Sequence, residues 1–130
     1  MLNEKSQLIC FDNGPLRNPI LSAPKRLISG DVNFRSVSIF QGDQGRVRSG
    51  VWESNSGSFQ ADTTGYIEFG TIIEGQCRIV DPDGLAHDLE AGDAFIMPEG
   101  YSGRWEVSVF VKKIYFIVTT ASAVDGGNTA

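Results

Sequence analysis

The amino-acid sequence predicts an all-β, single-domain barrel, on the strength of three observations. Short apolar or alternating runs recur at roughly 8–12-residue spacing, as strands do in sandwiches and barrels. Turn-forming residues punctuate them, with 15 glycines and 5 prolines in 130 residues. No stretch carries the period of an amphipathic helix.

The elements follow in chain order. Residues 1–29 form an extended arm in which Pro15, Pro19 and Pro24 interrupt any periodicity, with a short strand expected at Leu8-Ile9-Cys10-Phe11. The barrel is expected over residues 30–119. Its first strand, Phe34 to Phe40, alternates, placing Val37 and Ile39 on one face and Ser36, Ser38 and Phe40 on the other. Gln41-Gly42-Asp43-Gln44-Gly45 forms a turn. Further strands are expected at residues 47–53, 58–62, 66–73, 77–80, 86–89, 94–97, 103–109 and 113–119. Glu74-Gly75 separates two apolar runs and reads as a tight reversal, glycine supplying the positive φ. In Asp81-Pro82-Asp83-Gly84 proline presets the first central turn position and Gly84 completes the reversal. Gly92-Asp93 opens the strand Ala94-Phe95-Ile96-Met97, and Pro98-Glu99-Gly100 closes it. That strand is apolar on both faces, as an enclosed strand should be. Residues 120–130 are small and polar and are expected to fray.

Composition narrows the function classes. The length suits one domain with a real core, and 41% hydrophobic with 21% charged residues is an ordinary globular balance. A net charge of −5 disfavours a nucleic-acid partner, which needs clustered Lys and Arg. Lys25-Arg26 and Lys112-Lys113 are the only adjacent basic pairs. No stretch approaches the roughly 20 apolar residues that span a bilayer, so no membrane partner is expected. Met1 to Ile9 lacks a cationic-then-apolar signal layout, making the cytoplasm the expected location. Cys10 and Cys77 are expected as reduced thiols. Neither has a nearby histidine or CxxC partner, so neither reads as a catalytic nucleophile.

Glu68-(six residues)-Gly75, then Gly92-Asp93-(four residues)-Pro98-Glu99-Gly100, resembles the two sequence motifs of the cupin superfamily. The resemblance covers about residues 30–119 and sharpens to short single-domain cupins similar to ureidoglycine aminohydrolase and ethanolamine-utilisation cupins. It is carried there by Ser49-Gly50-Val51-Trp52-Glu53, Gly103-Arg104-Trp105-Glu106-Val107 and Val111-Lys112-Lys113-Ile114-Tyr115. It implies an RmlC-like double-stranded β-helix barrel, or jelly roll. It also implies a homodimer, since small cupins commonly pair through sheet edges and N-terminal arms.

A metal-binding cupin places two histidines six and four positions before the glutamate and a third after Pro-x-Gly. Carried onto this chain, those positions hold Asp62, Thr64 and Gly103, with Glu68 retained. Transition metals favour imidazole or thiolate, so no metal cofactor is expected; Asp62 and Glu68 leave at most an oxygen-only site for a hard cation. The single histidine, His87, shares a face with Leu85 and Leu89, away from the motif positions, and reads as a surface or structurally satisfied imidazole.

Glu68 is the leading catalytic candidate, because a carboxylate in an otherwise apolar strand needs a partner or a shifted pKa. Lys113 and Tyr115 share one face of the last strand and join it, Lys113 as a partner for Glu68 or Asp62 or as a solvated edge charge. The ligand-binding candidates are Trp52, Asp62, Thr64, Tyr101 and Trp105. Trp105 shares a face with Gly103, so that an indole wall would stand beside open space, although large aromatics are more often core. The leading expectation is a small polar metabolite bound in the barrel without a histidine-ligated metal. The alternative is an enzyme similar to the aminohydrolases, acting on a small nitrogenous or carboxylate metabolite with an atypical metal site. An assembly role is the third reading.

Overall fold

A computed structural model describes residues 7–120. Apart from one 3-10 turn at Asp43–Gly45, every regular element among them is a strand: β1 (Ile20–Ser22), β2 (Leu27–Ser29), β3 (Phe34–Gly42), β4 (Val47–Gln60), β5 (Tyr66–Val80), β6 (Ala86–Glu90), β7 (Ala94–Met97) and β8 (Arg104–Thr119). All strand pairings are antiparallel.

The long strands β4, β8 and β5 lie side by side in that order. Each outer strand of this trio takes two short partners in succession. β4 pairs with β3 along Val47–Ser54 and then with β2 at Ser58 and Phe59. β5 pairs with β7 along Glu68–Thr71 and then with β6 along Gln76–Val80. Two half-sheets result, joined by the long strands, with β1 added to the edge of β3. Register shifts fall at the junction, between Asn55 and Gly57 on β4 and between Ile72 and Arg78 on β5. Bulges there bend the strands, so that the halves face each other. Phe34, Trp52 and Phe95 of one half meet Phe59 and Trp105 of the other at ring-centroid distances of 4.9–6.1 Å. Around these rings Val32, Ile72, Ile79, Met97, Val107 and Val111 complete the buried core. This is the jelly-roll barrel that the sequence predicts.

The bulges also explain where the sequence misleads. No reversal occurs at Glu74-Gly75; the chain runs through as β5, Glu74 facing Lys112 and Gly75 facing Val111. Gly75 has a φ of +77°, and a Cβ there would stand 2.1 Å from the Phe110 carbonyl oxygen. Glycine is needed for a bulge pressed against β8, not for a turn. Residues 47–53 and 58–62 fuse into β4 in the same way, ending at Gln60, and residues 103–109 and 113–119 fuse into β8. A register shift between Ser38 and Phe40 pairs Ser38 with Gly50 but Phe40 with Ser49. Phe40 therefore leaves the face of Ser36 and Ser38. The strand β7 is not doubly enclosed: Met97 is buried, but Ile96 is 63% exposed on the outer face.

Two turns form as predicted. Gly84 N–H donates to the Asp81 carbonyl at 2.9 Å, and Tyr101 N–H to the Pro98 carbonyl at 3.1 Å. In the arm, strands form at β1 and β2 rather than at Leu8–Phe11, which makes no ladder. The free edge of β3 is already taken by β1, and Leu8 stays 88% exposed. Further along, the arm is fastened by Lys112 Nζ, which donates to the Gly14 carbonyl at 3.2 Å. The expected fraying beyond residue 120 lies outside the described residues.

Candidate functional site

Strand alternation builds one wall of the barrel interior. Glu68, Gly70 and Ile72 of β5 stand opposite Ile117, Tyr115 and Lys113 of β8, which in turn face Arg48, Gly50 and Trp52 of β4. Even spacing on three adjacent strands puts all nine side-chain positions on one face. Glycine at 50 makes room for Tyr115: a Cβ there would lie 2.7 Å from the phenolic oxygen and 2.2 Å from the Val37 carbonyl. The cavity that this face walls opens broadly to solvent and measures about 790 Å³.

At its deep end Lys113 Nζ donates to Glu68 Oε2 at 2.5 Å, with both residues buried. The ammonium lies 4.4 Å from the ring centroid of Trp52, 4.7 Å from that of Trp105 and 5.9 Å from that of Phe95. Burying two charges is costly, and the pair persists because each satisfies the other while indole faces replace part of the lost hydration of the cation. Tyr115 and Tyr66 also line the cavity. Burial, reinforced by the Glu68 charge, pushes both phenols above their usual pKa. They keep their protons at neutral pH, and the Tyr66 hydroxyl donates to the Asp62 carbonyl at 3.0 Å.

The other sequence-predicted residues divide by depth. Trp52 and Trp105 line the cavity, with Trp105 only 2% exposed and stacked on Phe59 at an interplanar angle of 13°. Asp62 and Thr64 sit at the rim, bonded to each other: Asp62 Oδ1 accepts from Thr64 Oγ1 at 2.6 Å and from its N–H at 2.9 Å. Those bonds hold the Asp62 carboxyl below its ordinary pKa. Lys113 takes Glu68, not Asp62, as its partner.

Tyr101 points elsewhere, its hydroxyl donating to Asp81 Oδ1 at 2.7 Å. The open space expected beside Trp105 does not exist. A Cβ on Gly103 would lie 2.3 Å from both the Tyr101 hydroxyl and the Val80 carbonyl oxygen. His87 Nε2 lies 2.9 Å from Asp81 Oδ2, outside the cavity. Sequence reasoning missed Arg48, Tyr66, Ser36 and Phe95. Arg48 was within reach, since alternation through Gly50 sets it on the face of Trp52.

The donor set does not fit a transition metal. Among the described residues no three His, Cys, Asp or Glu side chains converge on one point. Glu68 holds an ammonium, Asp62 is engaged at the rim, and the position of the third family histidine is filled. Cys77 is no substitute: burial pushes its thiol up to about 12, leaving it protonated and unreactive. A second depression of about 890 Å³ lies on the other half-sheet. There Arg78 pairs with Asp88 and Arg104 with Glu106, both at 2.8 Å.

Two facing half-sheets that close around a central cavity, with the motif glutamate inside, define a cupin barrel. Residues 41–115 match the EutQ-like cupin domain, and the chain belongs to that family. No protein of curated function matches it. Among solved structures it is similar to a protein of unknown function of the DUF861 family from Pseudomonas syringae pv. tomato, with 24% identity and a TM-score of 0.71, over 83% of this chain and 46% of that one. The chain thus spans less than half the length of that protein. It is also similar to the EutQ protein of Clostridium difficile (21% identity, TM-score 0.60, 72% and 68% covered). A predicted oxalate decarboxylase from Thermotoga maritima shares 14% identity with a TM-score of 0.64, over 78% of this chain and 92% of its own. At these identities the likeness extends to the fold. No helix among the described residues is long and apolar enough to cross a membrane.

Proposed function

We propose that the protein binds a small polar metabolite in the barrel without a histidine-held metal or other cofactor. The observation that supports this reading is the Lys113–Glu68 pair at the deep end of the cavity. An ion at Glu68 would have to displace an ammonium and then find donors that the wall lacks. The volume is typical of ligand pockets, about 300–1,000 Å³, and the lining mixes indole faces with Ser36, Ser38 and Gln41. The acidic balance of the chain supports a small-molecule partner over nucleic acid, and its free cysteines support a reducing, cytoplasmic setting. Elemental analysis of the purified protein is expected to find transition metals far below one per chain, and EDTA to leave the melting temperature unchanged. A stoichiometric metal whose removal abolishes metabolite binding would overturn the reading.

Glu68, Lys113 and Tyr115 on one wall favour a second reading, an enzyme acting on a small nitrogenous or carboxylate metabolite. Tyr115 would serve as proton donor and the ion pair would orient the substrate. Chemical conversion of a bound metabolite separates this reading from binding alone.

The protein is further proposed to be a homodimer. Ile67, Phe69, Ile96, Phe116 and Val118 are 37–63% exposed. The register places Ile67 beside Val118, and Phe69 between Phe116 and Ile96. A contiguous apolar sheet face of this kind suits a self-complementary two-fold contact. Sedimentation at micromolar concentration is expected to show a dimer, and Phe116→Glu a monomer. A monomeric unaltered protein would rule the dimer out.

A further inference from the structure

The cavity carries an excess of positive charge that the buried pair does not consume. Its lining holds four cationic side chains, Lys25, Arg26, Arg48 and Lys113, against two carboxylates, Asp62 and Glu68, in a chain of net charge −5. Lys113 and Glu68 neutralise each other. At the rim Lys25 and Arg26 lie close enough to act on the Asp62 carboxyl. Arg48 is left over.

Arg48 rises from β4 between Gln41 of β3 and Ile117 of β8, on the face that carries Trp52. It joins none of the ion pairs among the described residues. Its Nε is buried and has no hydrogen-bond partner. A buried donor without an acceptor is unfavourable. Because Arg48 also lines the cavity, an anion held there would lie beside a guanidinium that no carboxylate of the described residues neutralises. The planar guanidinium selects a carboxylate, which accepts two parallel bonds from it, over a neutral oxygen. Two more groups are unspent. The Tyr115 phenol keeps its proton, and Glu68 uses only Oε2 in its bond to Lys113.

We infer that the cavity takes a short hydroxy- or amino-carboxylate. The carboxylate seats on the Arg48 guanidinium, Tyr115 donates a supporting hydrogen bond, and the ligand's hydroxyl or amino group donates to Glu68 Oε1. This assignment rests on the proposed metabolite-binding role and names its ligand class. The bulk of the chain repels anions; the local excess at Lys25, Arg26 and Arg48 draws them to the mouth.

The test uses the intact protein and its own fluorescence, because its two tryptophans, Trp52 and Trp105, both wall the cavity. Lactate and malate are titrated against lactamide and malamide, which match them in shape but lack the charge. The carboxylates are expected to perturb the emission saturably and to bind at least about tenfold tighter than the amides. Added salt should narrow that gap. Arg48→Gln should erase it, while Arg48→Lys should keep part of it. Should the arginine variants fail to fold, the acid-against-amide comparison on the unaltered protein still decides. Equal binding of acids and amides, or a preference that survives in Arg48→Gln, overturns the carboxylate assignment. If neutral ureas or sugars perturb the tryptophans and carboxylates do not, the assignment falls while the metabolite-binding role stands. Silence across all these classes overturns both.

Discussion

Lys113→Met is expected to destabilise the protein by about 3–5 kcal/mol, the usual consequence of removing one partner from a buried ion pair. The substitution nearly preserves volume, so the loss is electrostatic: Glu68, only 5% exposed, would be left with no cation at Oε2. For a domain of this size the melting temperature should fall by roughly 10–20 °C. Urea denaturation is the cleaner measurement, since a lower midpoint at unchanged slope reports stability alone. The double variant Glu68→Leu with Lys113→Met should recover most of the loss, because well-packed apolar side chains often replace a buried pair without penalty. Recovery of stability without recovery of ligand binding would show that the pair is kept for the cavity's chemistry. If Lys113→Met unfolds at the same urea concentration as the unaltered protein, the pair is not the buried contact described above, and the binding site must be rebuilt.

How much of this was legible in the sequence varies residue by residue. The motif position and an otherwise apolar strand marked Glu68, alternation set Lys113 and Tyr115 on one face, and the chemistry of a buried carboxylate called for a partner or a shifted pKa. The Asp81–Gly84 and Pro98–Gly100 reversals were legible because proline and glycine there do local work. Glu74-Gly75 was not, because a bulge and a turn demand the same residue. Both use a glycine at positive φ, and only the presence of β8 against Gly75 tells them apart. Phe40 was misplaced for the same reason, a one-residue register shift reversing every later side chain. Arg48 was passed over because an arginine on a strand is usually solvated. Its partial burial follows from its place between β3 and β8, and single-strand patterns carry no information about neighbours. Tyr101 escaped because its partner, Asp81, lies 20 positions away.

The position of the absent third histidine supports the strongest test of how far this barrel has moved from a metal-holding one. Gly103→His is expected to destabilise the fold by about 3 kcal/mol, the upper part of the usual range for overpacking. A Cβ alone would meet the Val80 carbonyl oxygen at 2.3 Å. That carbonyl belongs to a strand fixed by its pairing with Arg104, so it cannot retreat. The Tyr101 hydroxyl, equally close, could swing away only by giving up its bond to Asp81. The same argument extends to the triple variant Asp62→His, Thr64→His and Gly103→His, which restores the family's ligand types on paper. It should bind no stoichiometric zinc or nickel, since the third imidazole has no room and the ammonium of Lys113 still occupies Glu68 Oε2. Chemical denaturation with and without added zinc reads both effects. A triple variant that binds one zinc tightly and gains stability from it would mean the filled space at Gly103 yields easily. The loss of metal ligands would then be a matter of three side chains, not of a rebuilt interior.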